Sequence, residues 1–367
     1  MPFQKEPEHQ HGSVPQVGIV LVNLGTPDEP TPEAVRRYLK EFLSDPRVVE
    51  IPRAIWWIIL NLFILPFRSK KSAKKYEQVW TAEGSPLRVH TQKQAMLLRG
   101  LLGERGHTGV KVVMAMRYGT PSLRKVLNQL KAERCERIVV LPAYPQYSGT
   151  TTASIFDAVF SHYAQVRSIP ELRLVRNYHD HEGYIDALCE NILQHWAVNG
   201  RGEKLLMSFH GIPERNFAFG DPYHCECYKT GRLVAAKLGL SAEQYLVTFQ
   251  SRFGRGEWLQ PYTAATVAKL ARDGLKRLDV VCPGFVGDCL ETLEEINMEV
   301  RHDFTSNGGQ EFHYIPCLNE SPLWIRALAD IAEQQLLGWP TRLTPAQQEV
   351  RTADYDTGRQ HAEKIGF

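Results

Sequence analysis

Six short runs rich in β-branched and aliphatic residues recur along the chain, and each gives way to a stretch with helical periodicity. They are VGIVLVNLG (17–25), VKVVMAMRYG (110–119), RIVVLPAYPQ (137–146), EKLLMSFHG (203–211), YLVTFQSRFG (245–254) and LDVVCPGF (278–285). Runs without polar alternation suit strands buried on both faces, and parallel sheets covered by helices are the setting that buries both. The intervening helical stretches include PEAVRRYLKEFL after Thr31, PSLRKVLNQLKAERC after Thr120 and WLQPYTAATVAKLARDG (258–274). The alternation predicts an α/β fold made of two doubly wound halves, each a parallel sheet flanked by helices.

At 367 residues the chain exceeds what one core usually serves. The reading places a loose tail at 1–13, a first half at 14–165, a second half at 166–319, and at 320–367 a helix packing back on the first half, followed by a tail. That helix is SPLWIRALADIAEQQLLG (321–338), and the residues from Pro340 onward are polar and weakly patterned. Apolar residues at 43% and charged residues at 23% exclude wholesale disorder. A formal charge of +2, with no zinc-finger or RRM-like signature, gives no reason to expect nucleic acid. Seven cysteines, mostly inside apolar runs, suggest reduced buried thiols in a cytoplasmic protein. The N-terminus MPFQKEPEHQHGSVPQ lacks the apolar stretch of a signal peptide, so export is not expected.

In doubly wound sheets, ligands bind beyond the carboxyl ends of the strands. Here those ends read NLGTP, MRYGTPS, YPQYSGTTT, SFHGIPER, SRFGRGEW and PGFVGDCLE, and together they predict one cleft between the halves. No dinucleotide or P-loop glycine motif and no nucleophile elbow occurs. His210 closes a strand and precedes Gly211-Ile212-Pro213, a turn that exposes its imidazole at the cleft; a histidine satisfied within that turn is the plainer alternative. After Pro283-Gly284, five carboxylates (Asp288, Glu291, Glu294, Glu295, Glu299) arrive within twelve residues. At about 100° per residue, Asp288, Glu291, Glu295 and Glu299 form one stripe opposite Leu290, Leu293, Ile296 and Val300. A solvated surface helix accounts for such a pattern; so does a proton relay or a path for a hard cation. Its place at a strand end and the absence of a basic i+4 partner favour the second account.

The most apolar segment, Ile55 to Phe67, has thirteen residues including Asn61, too few to span a bilayer. With Trp56-Trp57 and the downstream Arg68, Lys70, Lys71, Lys74 and Lys75, it reads as a core helix, an interfacial contact or a lip for a large apolar ligand. Cys225-Glu226-Cys227, near His224 and Asp221, lacks the spacing of a tetrahedral metal site and reads as a loop with incidental thiols.

The strand ends taken together resemble ferrochelatase, the family that inserts ferrous iron into protoporphyrin. The matching pieces are VNLGTPD (22–28), MRYGTP (116–121), YPQYSGTTTAS (144–154), SFHGIPER (208–215), TFQSRFGRGEWLQP (248–261), GFVGDCLETLEEI (284–296) and LNESPLWIRALADI. They run in unbroken order over roughly 14–335, and their wording is closest to proteobacterial members. The resemblance implies two Rossmann-like halves with the porphyrin in the cleft between them, and a lyase of haem biosynthesis whose substrates are protoporphyrin IX and Fe²⁺. It implies that His210 and Glu291 are the catalytic and metal-holding pair, with Asp288 and Glu295 an accessory acidic path. Arg68 and Ser85 match positions linked to the porphyrin propionates; Arg117, Tyr118, Ser148, Trp258 and Phe285 match pocket-lining positions.

Two departures matter. Many members carry His after the Asp of the acidic motif, where this chain has Cys289, and the role of that position is open. Members with an iron–sulfur cluster use a Cys after the QYS motif and three more near the C-terminus; here the first is Gly149 and no Cys follows Cys317, so no cluster is expected. A monomer is expected, in the cytoplasm, with peripheral contact at the inner face of the cell membrane through Ile55–Phe67 left open. The residue types admit His210 as base, ligand or both. A chelatase for another metal or tetrapyrrole, of cobalt or sirohydrochlorin type, and a non-catalytic haem or porphyrin carrier are the competing functions.

Overall fold

The first apolar run becomes β1 (Gln16–Thr26), an internal strand of a parallel sheet in the computed structural model, which describes residues 3–254 and 256–366. Arg255, in the SRFGRGEW turn, and Met1, Pro2 and Phe367 at the ends lie outside the described residues. Thr31 caps α1 (Pro32–Leu43) by accepting the Ala34 N–H, and Pro32 fills a first-turn position that needs no donor. The apolar segment follows as α2 (Arg53–Ile59), a π turn at Leu60–Ile64 and α3 (Leu65–Val79). Then come α4 (Pro86–Glu104), β2 (Val110–Gly119), α5 (Leu123–Ala132), β3 (Cys135–Pro142), α6 (Thr152–Tyr163) and β4 (Glu171–Leu174). The sheet order is β2-β1-β3-β4.

The second sheet repeats this plan. After α7 (Glu182–Asn199) come β5 (Lys204–His210), α8 (Glu214–Ala218), α9 (Tyr223–Lys237), β6 (Tyr245–Gln250), α10 (Thr263–Arg272) and β7 (Arg277–Val281). A π-helix (Glu291–Val300), α11 (Arg301–Ser306), β8 (Glu311–Tyr314), α12 (Pro322–Leu336) and α13 (Pro345–Lys364) follow. The order β6-β5-β7-β8, again all parallel, matches the first sheet strand for strand. Even the exits correspond: the Met116 N–H donates to Pro121 O at 2.7 Å, and the Phe249 N–H to Pro261 O at 2.9 Å. The π-helix therefore occupies in the second half the place that α6 holds in the first.

Fully buried Ile19, Leu21 and Leu98 belong to one continuous apolar core with Met207, Phe209, Tyr184 and Trp324. Each such side chain contributes about 1.5–3 kcal/mol on burial, so the two halves are held by shared core as well as by chain connection. Helix α12 packs on both α4 and α7. Gly183 allows the close approach to α7, since a Cβ there would lie 3.0 Å from that of Ala327.

Four features differ from the sequence reading. The short strands β4 and β8 were not among the six runs, because each is a four-residue edge strand carrying charge. Pairing of β4 with β3 extends the first sheet to Leu174, past the boundary expected at 165. The N-terminal tail is not loose: the Gln4 N–H donates to Gln165 O at 2.8 Å, and Glu6 pairs with Lys131 at 2.6 Å. The polar C-terminal stretch is a helix, α13, opened by a capping box between Thr344 and Gln347.

Candidate active site

His210 is the last residue of β5, half-buried, and its Nδ1 lies 2.7 Å from the Gly211 carbonyl. A carbonyl only accepts, so Nδ1 carries a proton, and a lone pair, whenever the ring has one, is at Nε2. The chain can turn there because residue 211 is glycine: a Cβ would meet Gln250 O at 2.8 Å and the Trp258 ring at 3.2 Å.

The neighbouring strand end supplies the support. Gln250, buried at the end of β6, donates its amide to the Glu291 carbonyl at 2.9 Å. Ser251 sits in the left-handed region at φ 63 and gives Glu295 both its N–H (2.7 Å) and its hydroxyl (2.5 Å). Burial pushes the Glu295 carboxyl above its ordinary range; the Ser251 bonds and the charge of His210 oppose that push, and Glu291 adds to it. His210, Glu295 and Glu291 are thus close enough to share charge.

From the first half, Tyr38, Arg68 and Tyr76 come near enough to Glu291 to feel its charge. Burial lowers the Arg68 guanidinium, which stands 4.5 Å over the Phe253 ring and leaves Nη1 buried without a partner among the described residues. Such an unsatisfied cationic donor at a cleft is suited to an anionic ligand group. Ser85 Oγ lies 2.7 Å from Thr26 Oγ1 at the mouth of β1, both buried.

Several expected pocket residues prove to be tied into the frame. Arg117 Nη2 donates to Asp45 at 2.6 Å and its Nε to Ser154 Oγ at 2.8 Å, while the Tyr118 hydroxyl donates to Asp45 at 2.8 Å. Ser148 Oγ and the Gly149 N–H both donate to Asp221 of the second half, at 3.0 and 2.7 Å. Trp258 covers the Gly211 turn. Phe285 packs between a second core, formed by Leu206, Leu278, Ile296, Val300 and Phe304, and a small cluster of Leu87, Met116 and Cys289.

The acidic segment is corrected in three respects. It is a π-helix over Glu291–Val300, so the α-helical stripe does not describe it. Asp288 leaves the acidic line: it is buried and accepts from Thr292 Oγ1 (3.0 Å), Asn319 Nδ2 (2.7 Å) and the Tyr314 hydroxyl. A buried carboxylate held by three side-chain donors anchors the turn before the helix. The run is also not without a cation, because Lys75 reaches Glu294 at 2.9 Å and Glu299 at 2.8 Å.

Cys289 is buried, and burial beside Glu291 pushes its thiol well up, which keeps it protonated. Cys225 is exposed and Cys227 buried, so the two do not present a common ligand face. Among the described residues, no three His, Cys, Asp or Glu side chains gather as a metal-holding group. A cavity of about 200 Å³ lined by Arg47, Tyr147, Asn216 and Asp221 opens along the seam, away from His210 and below the usual size of a ligand pocket. The sequence reading passed over Asp45, named Lys75 only within the basic run after the apolar segment, and quoted Ser251 only within the TFQSRFG strand end.

A ferrochelatase family model matches residues 16–336. The chain is 64% identical over 366 residues to the ferrochelatase of Janthinobacterium sp. (strain Marseille), covering 100% of this chain and 99% of that one. It is 53% identical over 337 residues to that of Nitrosomonas europaea, covering 92% and 93%. Among solved structures, SirB from Bacillus subtilis with Fe³⁺ superposes with a TM-score of 0.53 over 88% of this chain and 96% of that one. At 10% identity, that likeness speaks to the fold alone.

Proposed function

The chain belongs to the ferrochelatase family, whose members insert ferrous iron into protoporphyrin to make protohaem, and from that premise we propose how its residues perform the step. Metallation removes two pyrrole protons and seats Fe²⁺ in the four ring nitrogens. In this reading the Nε2 lone pair of His210 accepts a pyrrole proton. The carbonyl of Gly211, by holding the Nδ1 proton, fixes the tautomer that can do so. Glu291 and Glu295 carry protons away or hold the incoming iron briefly. Imidazole and carboxylate are both ligands Fe²⁺ accepts, and so sparse a donor set suits an ion that must leave for the macrocycle.

Arg68, with its unpartnered Nη1, and Ser85 bind the propionate edge. Trp258 and Phe285 wall the ring, Arg117 and Tyr118 brace that wall from behind through Asp45 and Ser154, and Ser148 ties it across to Asp221. A macrocycle held bent exposes its lone pairs, and the energy for bending comes from those remote contacts. The observation that carries this reading is the tethered Nδ1 of His210 within electrostatic reach of the half-buried Glu295.

Absorbance of haem formed from protoporphyrin and Fe²⁺ tests it. His210→Ala and Glu291→Gln should each nearly abolish insertion while porphyrin still binds, and retained turnover would sink the assignment. Supplying Co²⁺ or a sirohydrochlorin-type tetrapyrrole separates iron chelation from the related chelatases; a carrier would bind porphyrin without turnover.

No helix among the described residues is long and apolar enough to cross a membrane. The lip nevertheless exposes Ile55, Trp57, Ile58, Leu62, Phe63 and Phe67. The enzyme works in the cytoplasm in this reading and touches the membrane face peripherally through that lip, where a lipophilic porphyrin partitions. It acts as a monomer in this reading, and light scattering tests that.

A further inference from the structure

Two carboxylates of the acidic run, Glu294 and Glu299, converge on Lys75 of α3. Its Nζ lies 2.9 Å from Glu294 Oε2 and 2.8 Å from Glu299 Oε1. Glu294 is buried, Lys75 half-buried and Glu299 exposed, so the inner bond of the pair is shielded from solvent. The two acids stand five residues apart. On an α-helix, positions five apart are separated by about 140° around the axis, which turns their side chains to different faces and disfavours a shared ammonium. On a π-helix, whose N–H groups bond five residues back, the same positions stack one turn above the other. The Lys75 bridge is therefore a contact that the π register favours and the α register does not.

A ten-residue π-helix is rare, and something must favour it over the tighter α form. Its far side is anchored: Ile296, Val300 and, beyond it, Phe304 are buried in the second core. A return to α winding would rotate the start of the segment relative to those anchors. Glu291 would then leave Gln250, and Glu295 would leave the two donors of Ser251. Lys75 is also on the helix that carries Arg68 and Tyr76, both of which feel the charge of Glu291.

We propose that Lys75 is a positioning residue that holds the Glu291–Val300 helix in its π register, coupling the lip helix α3 to the orientation of Glu291 and Glu295. The role in turnover rests on the reading of His210 and Glu291 as the reacting pair; the register claim does not.

Lys75→Met keeps the aliphatic stem and removes the charge, and Lys75→Arg keeps the charge. Hydrogen exchange of the 291–300 amides is measured on each full-length variant, together with kcat and the KM for protoporphyrin. Expected for Lys75→Met are faster exchange confined to that helix and a fall in kcat of about tenfold, because small misplacements of reacting groups carry such penalties. The KM for porphyrin should stay within about twofold, and Lys75→Arg should recover most of the rate. Glu299→Gln, at an exposed position that leaves the core intact, should move exchange the same way to a smaller extent. Exchange in Lys75→Met equal to the parent overturns the proposal. Faster exchange with an unaltered kcat overturns the positioning role. A Glu291→Gln protein that still turns over identifies failure of the underlying site reading instead.

Discussion

Ser251 donates both its N–H, at 2.7 Å, and its hydroxyl, at 2.5 Å, to the Glu295 carboxylate. The backbone of Ser251 is left-handed, an arrangement that aims two donors at one acid and is uncommon outside glycine and asparagine. Burial nonetheless leaves the Glu295 carboxyl raised. A raised carboxyl binds more protons folded than unfolded, so stability falls as pH rises from the unfolded pKa through the folded one. Glu295→Gln removes that penalty. The variant should melt at a higher temperature than the parent at neutral pH, with the difference shrinking on acidification, while iron insertion slows. Thermal denaturation across pH, paired with the haem absorbance assay, checks both.

Asp45 behaves in the opposite sense. Burial alone would raise its carboxyl, but bonds from Ser154, Tyr118 and the Arg47 N–H, with the Arg117 charge, outweigh burial and hold it low. Its contribution is present above the unfolded pKa and is lost as pH falls through the folded one. Asp45→Asn should cost about 1.5–3 kcal/mol at neutral pH, the range for charge-assisted bonds. Urea titrations at neutral and acid pH should show the gap between parent and variant closing in acid.

Native thiol labelling should separate the cysteines by burial. Cys225 is exposed, whereas Cys135, Cys189, Cys227, Cys282, Cys289 and Cys317 are buried. Burial raises the Cys289 thiol, so little thiolate forms there. Alkylation of the folded protein followed by mass spectrometry should find modification at Cys225, and at Cys289 only after denaturation.

The lip offers a cheap test of membrane contact. Phe63 and Phe67 are 62% and 75% exposed, so replacing both by Asn removes apolar surface without opening a cavity. Co-sedimentation with vesicles containing anionic lipid should drop for the double variant, and its melting temperature should stay within about 2 °C of the parent. Equal sedimentation of the two proteins would count against the peripheral reading.

Much of this architecture was legible in the residues themselves. Six doubly buried strands announce themselves through unbroken apolar runs, because a strand covered on both faces has no polar side to show. The strand-end motifs point to the family, and they set His210 and Glu291 after neighbouring strands, β5 and β7.

What local pattern could not encode is who meets whom across the fold. Lys75 lies 219 positions from Glu294, and nothing near either residue marks the pairing. The α-helical wheel grouped Glu291, Glu295 and Glu299 persuasively, yet left Glu294 out and counted Asp288 in. Only packing diverts Asp288 to Tyr314 and Asn319 and winds the helix to a π register that brings Glu294 above Glu299. Periodicity reports which face of an element is apolar. The choice between two windings that bury the same Ile296 and Val300 is made by partners supplied from the other half of the molecule.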